Sequence, residues 1–287
     1  PVTAMINPAT RGELGPEWVE ERKKALGLDR PMIYRYGLWL KELLSGNLGY
    51  SLVGGQPVAE QIGARIGPTL LLMVSAITLG TVIGIPLGVY SALRPNSWTD
   101  YLLTIFGFLA ISTPVFFLGL ASMYVFAVNL KWLPTSGMRT LGIPASTTDL
   151  IKHMIMPVSV LALVHIPLVM RYTRASMIES FRQDYVTTAR AKGLRERAVV
   201  IWHAFRNALI PLITIIGLSL PELLSGAVIT ETIFQWPGMG LLAMRAVNAR
   251  DYPLVLGVIL VTACMVLISN LIADLCYAVA DPRIRYR

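Results

Sequence analysis

Little of this chain carries charge: of its 287 residues 15% are Asp, Glu, Lys or Arg, while 54% are hydrophobic. Mean hydropathy is +0.59. A soluble domain of this length needs a far more polar surface, so that class is excluded and a polytopic membrane protein is implied. Cysteine is almost absent. Cys264 and Cys276 lie in or beside the last apolar run, where a free thiol behaves as a small hydrophobe, so no disulfide or metal site is signalled. There are three histidines and no ladder of His, Asp and Glu, which leaves proton coupling without support. The patterns GxxxxGK with Ser or Thr, HExxH, CxxC and GxSxG are all missing, so no loop cradles nucleotide phosphates and no catalytic spacing is recognisable.

The charge that is present is unevenly placed. A net charge of +8 would suggest nucleic acid for a soluble chain, but residues 171–206 hold eight Lys/Arg against three acidic residues. The excess therefore marks membrane topology, and nucleic acid is not an expected partner. By the positive-inside rule this segment belongs on the cytoplasmic face. Its centre, 184–207, reads DYVTTARAKGLRERAVVIWHAFRN. Asp184 is a good N-cap, the residues after it favour helix, and Gly193 can take the left-handed C′ position. A second helix is expected from about Arg195 to Asn207. Tyr185, Ala189, Val199, Trp202 and Phe205 supply apolar anchors; Arg190, Lys192, Arg195 and Arg197 supply a polar face. Helices this short are marginal alone in water, so the pair must dock on the rest of the protein or on a partner. The bland alternative is a basic loop that merely fixes topology.

In chain order, residues 1–67 are a polar-helical cap, with an amphipathic stretch at 17–26 and a helix from about 31 to 45. Gly46, Gly49, Gly54, Gly55 and Pro57 mark the loop after it. Five apolar runs follow: 68–93, 100–128 with a kink at Pro114, 151–170, 208–234 broken at Pro221, and 251–279. Each is near the ~20 residues that cross the hydrocarbon. If 171–207 is cytoplasmic, the tail with Arg283, Arg285 and Arg287 is too, and residues 1–67 lie outside. Parity then calls for a further transmembrane helix upstream, six in all.

Polar groups inside the apolar runs are costly and are candidates for function. Glu222, directly after Pro221, either faces a solvated pathway or is a paired or protonated carboxyl. His165 reads as a packed, hydrogen-bonded side chain. Asn270 and Asp274 share a helix face, with Asp274 paired to a local Arg, and Arg171 and Arg174 snorkel to the interface. In residues 231–253, ETIFQWPGMGLLAMRAVNARDYP, the Trp236-Pro237-Gly238 turn sits at the outer interface and Asp251 opens the last helix. Glu222, Glu231, Trp236 and Asp251 are the candidate pathway or outer-gate residues.

Two stretches resemble a family. The loop, with Thr187-Thr188-Ala189, Gly193 and the HxxRN stretch His203, Arg206, Asn207, resembles the cytoplasmic "EAA" loop of ATP-binding-cassette importer permeases. ARAKGL with HAFRNALIP, together with ETIFxWPGMG, RDYP and DPRIR, is similar to the dipeptide/oligopeptide/nickel branch and to its first permease subunit. Thr187 stands where many permeases have Glu, and Arg206 where many have Pro; both departures are ordinary within that branch. The resemblance covers most of residues 26–287. It implies an all-α polytopic membrane protein with the MetI-like type I importer fold, in a bacterial inner membrane. Asp184, Tyr185, Thr187, Thr188, Ala189, Arg190, Lys192, Gly193, Arg195, His203, Arg206 and Asn207 would couple to the ATPase. The implied partners are a homologous second permease, two ATPase subunits carrying ATP and Mg, and an extracytoplasmic substrate-binding protein. This chain itself would hold no cofactor and would not be an enzyme. Peptides are the expected cargo, with nickel chelates, glutathione and oligosaccharides as alternatives. An ion-coupled transporter or channel is the rival class, and a membrane-embedded enzyme around His165, Glu222 or Asp274 a third.

Overall fold

The computed structural model describes residues 30–142, 144 and 146–280, apart from the side chains at 210, 214, 218, 220–226 and 276–280. The expected stretch at 17–26, the basic tail and the side chain of Glu222 lie outside the described residues. The regular elements described are helical, with one isolated bridge between Tyr50 and Pro57. Among the described residues three helices are long and apolar enough to cross a membrane, and the number rises to five if each of two bent helix pairs, 98–129 and 196–217, is one span. The second pair overlaps only the start of the expected run at 208–234.

The chain divides into two compact units, one of 67–241 with 262–280, the other of 30–66 with Leu242–Val261. In the larger unit, helix α2 (Val58–Leu93) continues from the polar leader through Pro68 and Pro86. α5 (Thr147–Phe181) likewise runs through Pro157 and Pro167, starting where the Ser146 side chain accepts from the Thr148 N–H. Proline inside a membrane helix is tolerated when neighbours resatisfy the freed carbonyls, so both helices outlast their apolar runs. At Pro114 the outcome is a break. Thr113 takes an extended conformation (φ −86°, ψ 123°), as a residue before proline prefers. The helices on either side, α3 (Trp98–Ser112) and α4 (Val115–Ser122, continued by a π-helical turn Met123–Asn129), meet at 97°. The expected kink is thus two helices.

α5 is the centre of this unit: 67% of its most apolar stretch is buried, against 11% for the last span. It packs on α7 (Arg206–Ile233), which runs unbroken past Pro221. α2 approaches α5 through Gly80, Gly84 and Gly88. A methyl group at Gly84 would stand 2.9 Å from Val169 Cβ, and one at Gly88 2.6 Å from the Met170 carbonyl oxygen. Small residues four apart let two backbones close up where lipid gives no hydrophobic drive between helices. Leu72, Met73 and Ala76 of α2 then bury against Val158 and Leu161 of α5, with Ala227 and Trp236 completing the cluster.

Arg174 does not snorkel. Its Nε and Nη2 donate to Asp100 Oδ1 and Oδ2 at 2.8 and 2.7 Å, Ser91 Oγ also donates to Asp100, and the Asn96 N–H reaches Oδ2 at 3.0 Å. Asp100 is buried. This fork ties α2, the turn after it, α3 and α5 together. His165 is buried as expected, but its Nε2 has no hydrogen-bond partner among the described residues. Asp274 is exposed on α9 (Tyr252–Ala280).

The smaller unit contains α1 (Met32–Leu44), the glycine loop after it, and parts of α2, α8 (Met239–Asn248) and α9. Asp251 organises its loop. It accepts from Ser51 Oγ, from the Leu52 N–H at 3.1 Å and from the Leu254 N–H in the first turn of α9. The GNLGYS and RDYP stretches therefore meet in one network.

Candidate functional site

The basic loop is an ordered platform. α6 (Asp184–Ala191) begins one residue earlier than the sequence suggests: Gln183 occupies the N-cap position and Asp184 the first turn, where its charge still suits the helix dipole. At the other end Gly193 has φ +76°, its N–H bonds the Arg190 carbonyl at 2.9 Å and the Leu194 N–H bonds that of Ala189 at 3.4 Å. That pair of bonds is a Schellman closure, and the left-handed residue at its centre favours glycine. A Cβ at Gly193 would meet nothing within 4 Å, so the requirement is one of conformation and not of space.

The second helix is not separate. A short turn, Glu196–Ala198, leads into a π-helical segment, Val199–Phe205, that runs straight into α7. The wider turn changes which residues share a face. Val199, Val200 and Ala204 point inward and bury with Val186, Ala189 and Met177, at the end of α5. Trp202, expected as an anchor, is 68% exposed, and Tyr185 is also exposed; Val186 takes the buried place. Phe205 packs against the cluster from its edge, as expected.

Of the twelve coupling candidates, Ala189 is buried in this core and His203 is half-buried; the other ten are exposed. Arg190 bonds Glu196 across the turn, Nη2 to Oε1 at 2.7 Å and Nε to Oε2 at 3.3 Å, and lies over the Phe181 ring. The bonds to Glu196 raise the guanidinium's pKa above its ordinary value, against a small opposing effect of burial. Asn207 Nδ2 donates to the His203 carbonyl at 2.8 Å, and Asn207 and Tyr185 line a polar notch of about 240 Å³ with Glu179 and Gln183. Leu194, Ile201 and Trp202, outside the candidate set, add exposed apolar surface to the platform.

The nominated outer-gate residues are placed differently. Glu231 is fully buried and accepts from Thr69 Oγ1 (2.6 Å) and from the N–H groups of Gly240 (2.7 Å) and Leu241 (3.1 Å) in the first turn of α8. Thr69 Oγ1 in turn accepts from the Met239 N–H at 2.8 Å. Trp236, expected at the interface, is also fully buried, and its indole N–H donates to the Pro68 carbonyl at 3.0 Å. A Cβ at Gly238 would strike the Glu231 carboxylate, and one at Gly240 would lie 2.5 Å from Val228 Cα. The ETIFxWPGMG spacing thus reads as one buried helix cap: acid, indole and two glycines that let α8 pack on α7. Asp251 caps α9 in the same manner, so none of these three turns its polar atoms to solvent. Among the described residues no group of His, Cys, Asp and Glu could hold a metal ion.

The apolar spans and the basic segment packed on the end of α5 define a membrane-embedded protein. Residues 84–286 match the family model described as "Binding-protein-dependent transport system inner membrane component", and the chain belongs to that family. It is 45% identical over 289 residues to a putative peptide permease protein of Brucella ovis, covering 99% of this chain and 89% of that one. It is 42% identical to the oligopeptide transport system permease protein AppB of Bacillus subtilis, covering 100% of this chain and 90% of that one. Among solved structures, a chain of the MetNI methionine ABC transporter in an inward-facing conformation superposes with a TM-score of 0.62 at 16% identity, over 77% of this chain and 96% of that one. This likeness establishes the shared fold, the one implied by the loop and the ETIFxWPGMG segment.

Proposed function

We propose that this chain is one of two homologous permease subunits of an ATP-driven, binding-protein-dependent peptide importer in a bacterial inner membrane. Two ATPase subunits carry ATP and Mg, one of them docking on the 184–207 platform of this chain and the other on the second permease, and an extracytoplasmic binding protein delivers the peptide. The observation that carries this reading is how the platform is built: Val186, Ala189, Val199 and Ala204 bury on Met177 at the end of α5, while Tyr185, Thr188, Lys192, Trp202 and Arg206 stay exposed. A push on that outer surface is delivered through close-packed side chains to the most buried helix of the bundle. Alternating access then needs no chemistry on this chain. The names of its relatives, peptide and oligopeptide permeases, support peptides as cargo.

The test is co-expression with the neighbouring genes, purification through a tag on this chain, and reconstitution into vesicles. Recovery of a second permease and ATPases, with ATP-dependent uptake of labelled di- and oligopeptides only when the binding protein is present, is the expected result. Purification without any ATPase would overturn the coupling assignment. An assembled complex whose ATPase ignores peptide-loaded binding protein would overturn the cargo alone.

A further inference from the structure

α1 is an unusual helix to leave in water. It has 13 residues, none of them buried, and it exposes Ile33 by 88% and Leu44 by 81%, with Met32 and Tyr36 also in the open. A helix this short is marginal by itself, and one carrying so much apolar surface needs an apolar medium. Its other face borders a cavity of about 710 Å³ shared with the first turns of α9. That volume falls within the ~300–1,000 Å³ of small-molecule sites. Trp39 and Leu43 of α1 line it with Leu256 and Leu260 of α9, and among the described residues Arg35 and Glu42 are the charged ones in its lining. Glu42 already accepts from Asn47 Nδ2 at 2.8 Å. Arg35 is half-buried and forms no ion pair among the described residues.

We propose that this cavity holds a membrane phospholipid, its acyl chain along Leu43, Leu256 and Leu260 and its phosphate on Arg35. The membrane supplies that occupant directly. Tyr252–Leu275 is a span, and its exposed surface runs on without interruption of character from Leu256 through Ile259 to Leu267. From Tyr252 to Leu260 the helix rises about 12 Å, roughly the distance from the headgroups into the upper acyl region. Tyr and Trp beside such a site are the side chains favoured at the membrane–water boundary, and an arginine fork is suited to a phosphate. α1 is accordingly an interfacial helix, held between bulk lipid on its Ile33 and Leu44 side and a bound lipid on its Leu43 side.

The experiment uses the whole transporter in vesicles of phosphatidylcholine and phosphatidylglycerol, the latter carrying a diazirine in its acyl chain. After illumination, labelled peptides are located by mass spectrometry. Labelling is expected on α1 and on the first two turns of α9. Leu256→Trp, which fills the cavity, and Arg35→Gln, which removes the phosphate contact, should each reduce it by about tenfold. Labelling at Phe108 and Leu109, exposed on α3, should not change in either variant, and both variants should elute as intact complexes. Equal labelling of all exposed apolar helices, indifferent to both substitutions, would mean ordinary boundary lipid and overturn the site. Loss with Leu256→Trp but not with Arg35→Gln would mean an acyl chain without a phosphate, and overturn the phospholipid assignment. Protection of α1 that appears only on adding the extracytoplasmic binding protein would make this a protein-docking face and likewise overturn it.

Discussion

Glu231 shows what a single side chain does in this fold. Its two carboxyl oxygens meet a hydroxyl and two backbone N–H groups in a buried space. Glu231→Gln keeps the shape but replaces one acceptor oxygen with an NH2, leaving either the Thr69 hydroxyl or the Gly240 and Leu241 N–H groups without their acceptor. It should lower the stability of the purified protein by about 1–3 kcal/mol, the cost of a buried unsatisfied group, read as a fall in thermal midpoint in detergent. Gly240→Ala should cost as much or more, because its new methyl meets the Val228 backbone, which cannot swing aside. The sequence pointed to Glu231 and Trp236 through their motif, and rightly marked the stretch as specific. It could not tell a buried cap from a pathway lining, because both call for a lone carboxyl between apolar runs, and only the packing of Thr69 and Gly240 separates them.

Elements are held together here by a few polar clamps and turns. The Arg174–Asp100 fork joins α5 to the start of α3, with Ser91 of α2 as third partner. Removing one member leaves a buried charge, so Arg174→Met should destabilise by about 3–5 kcal/mol, whereas Arg174→Met with Asp100→Asn should cost clearly less than the sum. Denaturation of the four members of that cycle measures it; strict additivity would mean the fork contributes nothing. At the turn after α6, Gly193→Asn should be nearly neutral, since Asn tolerates the left-handed region, while Gly193→Val should strain the backbone by about 1–2 kcal/mol. Both variants should remain folded, as nothing crowds the position. Element by element, the sequence read well where regular periods apply. α1, α6 with its glycine stop, and the five apolar runs all stand close to where composition put them. It failed at Val199–Phe205, a π-helical segment with apolar residues on every side, where the sequence does not single out Val200 and Ala204 over Trp202 as the core face, and at Pro114, where the 97° turn exceeds an ordinary kink.

For the whole molecule the platform divides its residues by direction, and the two halves should fail differently. Val186 and Ala204 face Met177 of α5 and are fully buried, so Val186→Asp places a charge in a dry core and should lower the yield of folded protein. Trp202 faces out and touches no described cluster. Trp202→Ala should therefore leave stability within about 0.5 kcal/mol, as for a typical surface change. If the exposed surface is where an ATPase subunit docks, an exposed tryptophan is the side chain most able to carry affinity, and its loss should weaken ATPase binding by at least about thirtyfold. Titrating purified ATPase subunits against detergent-solubilised permease, with melting curves on the same samples, separates the two effects. A Trp202→Ala protein that melts normally and binds normally would move the docking surface elsewhere on the platform, to the Lys192–Arg195 turn. One that melts normally and binds poorly would place the contact on the exposed side of Val199–Phe205, opposite the face that Val199, Val200 and Ala204 bury on α5.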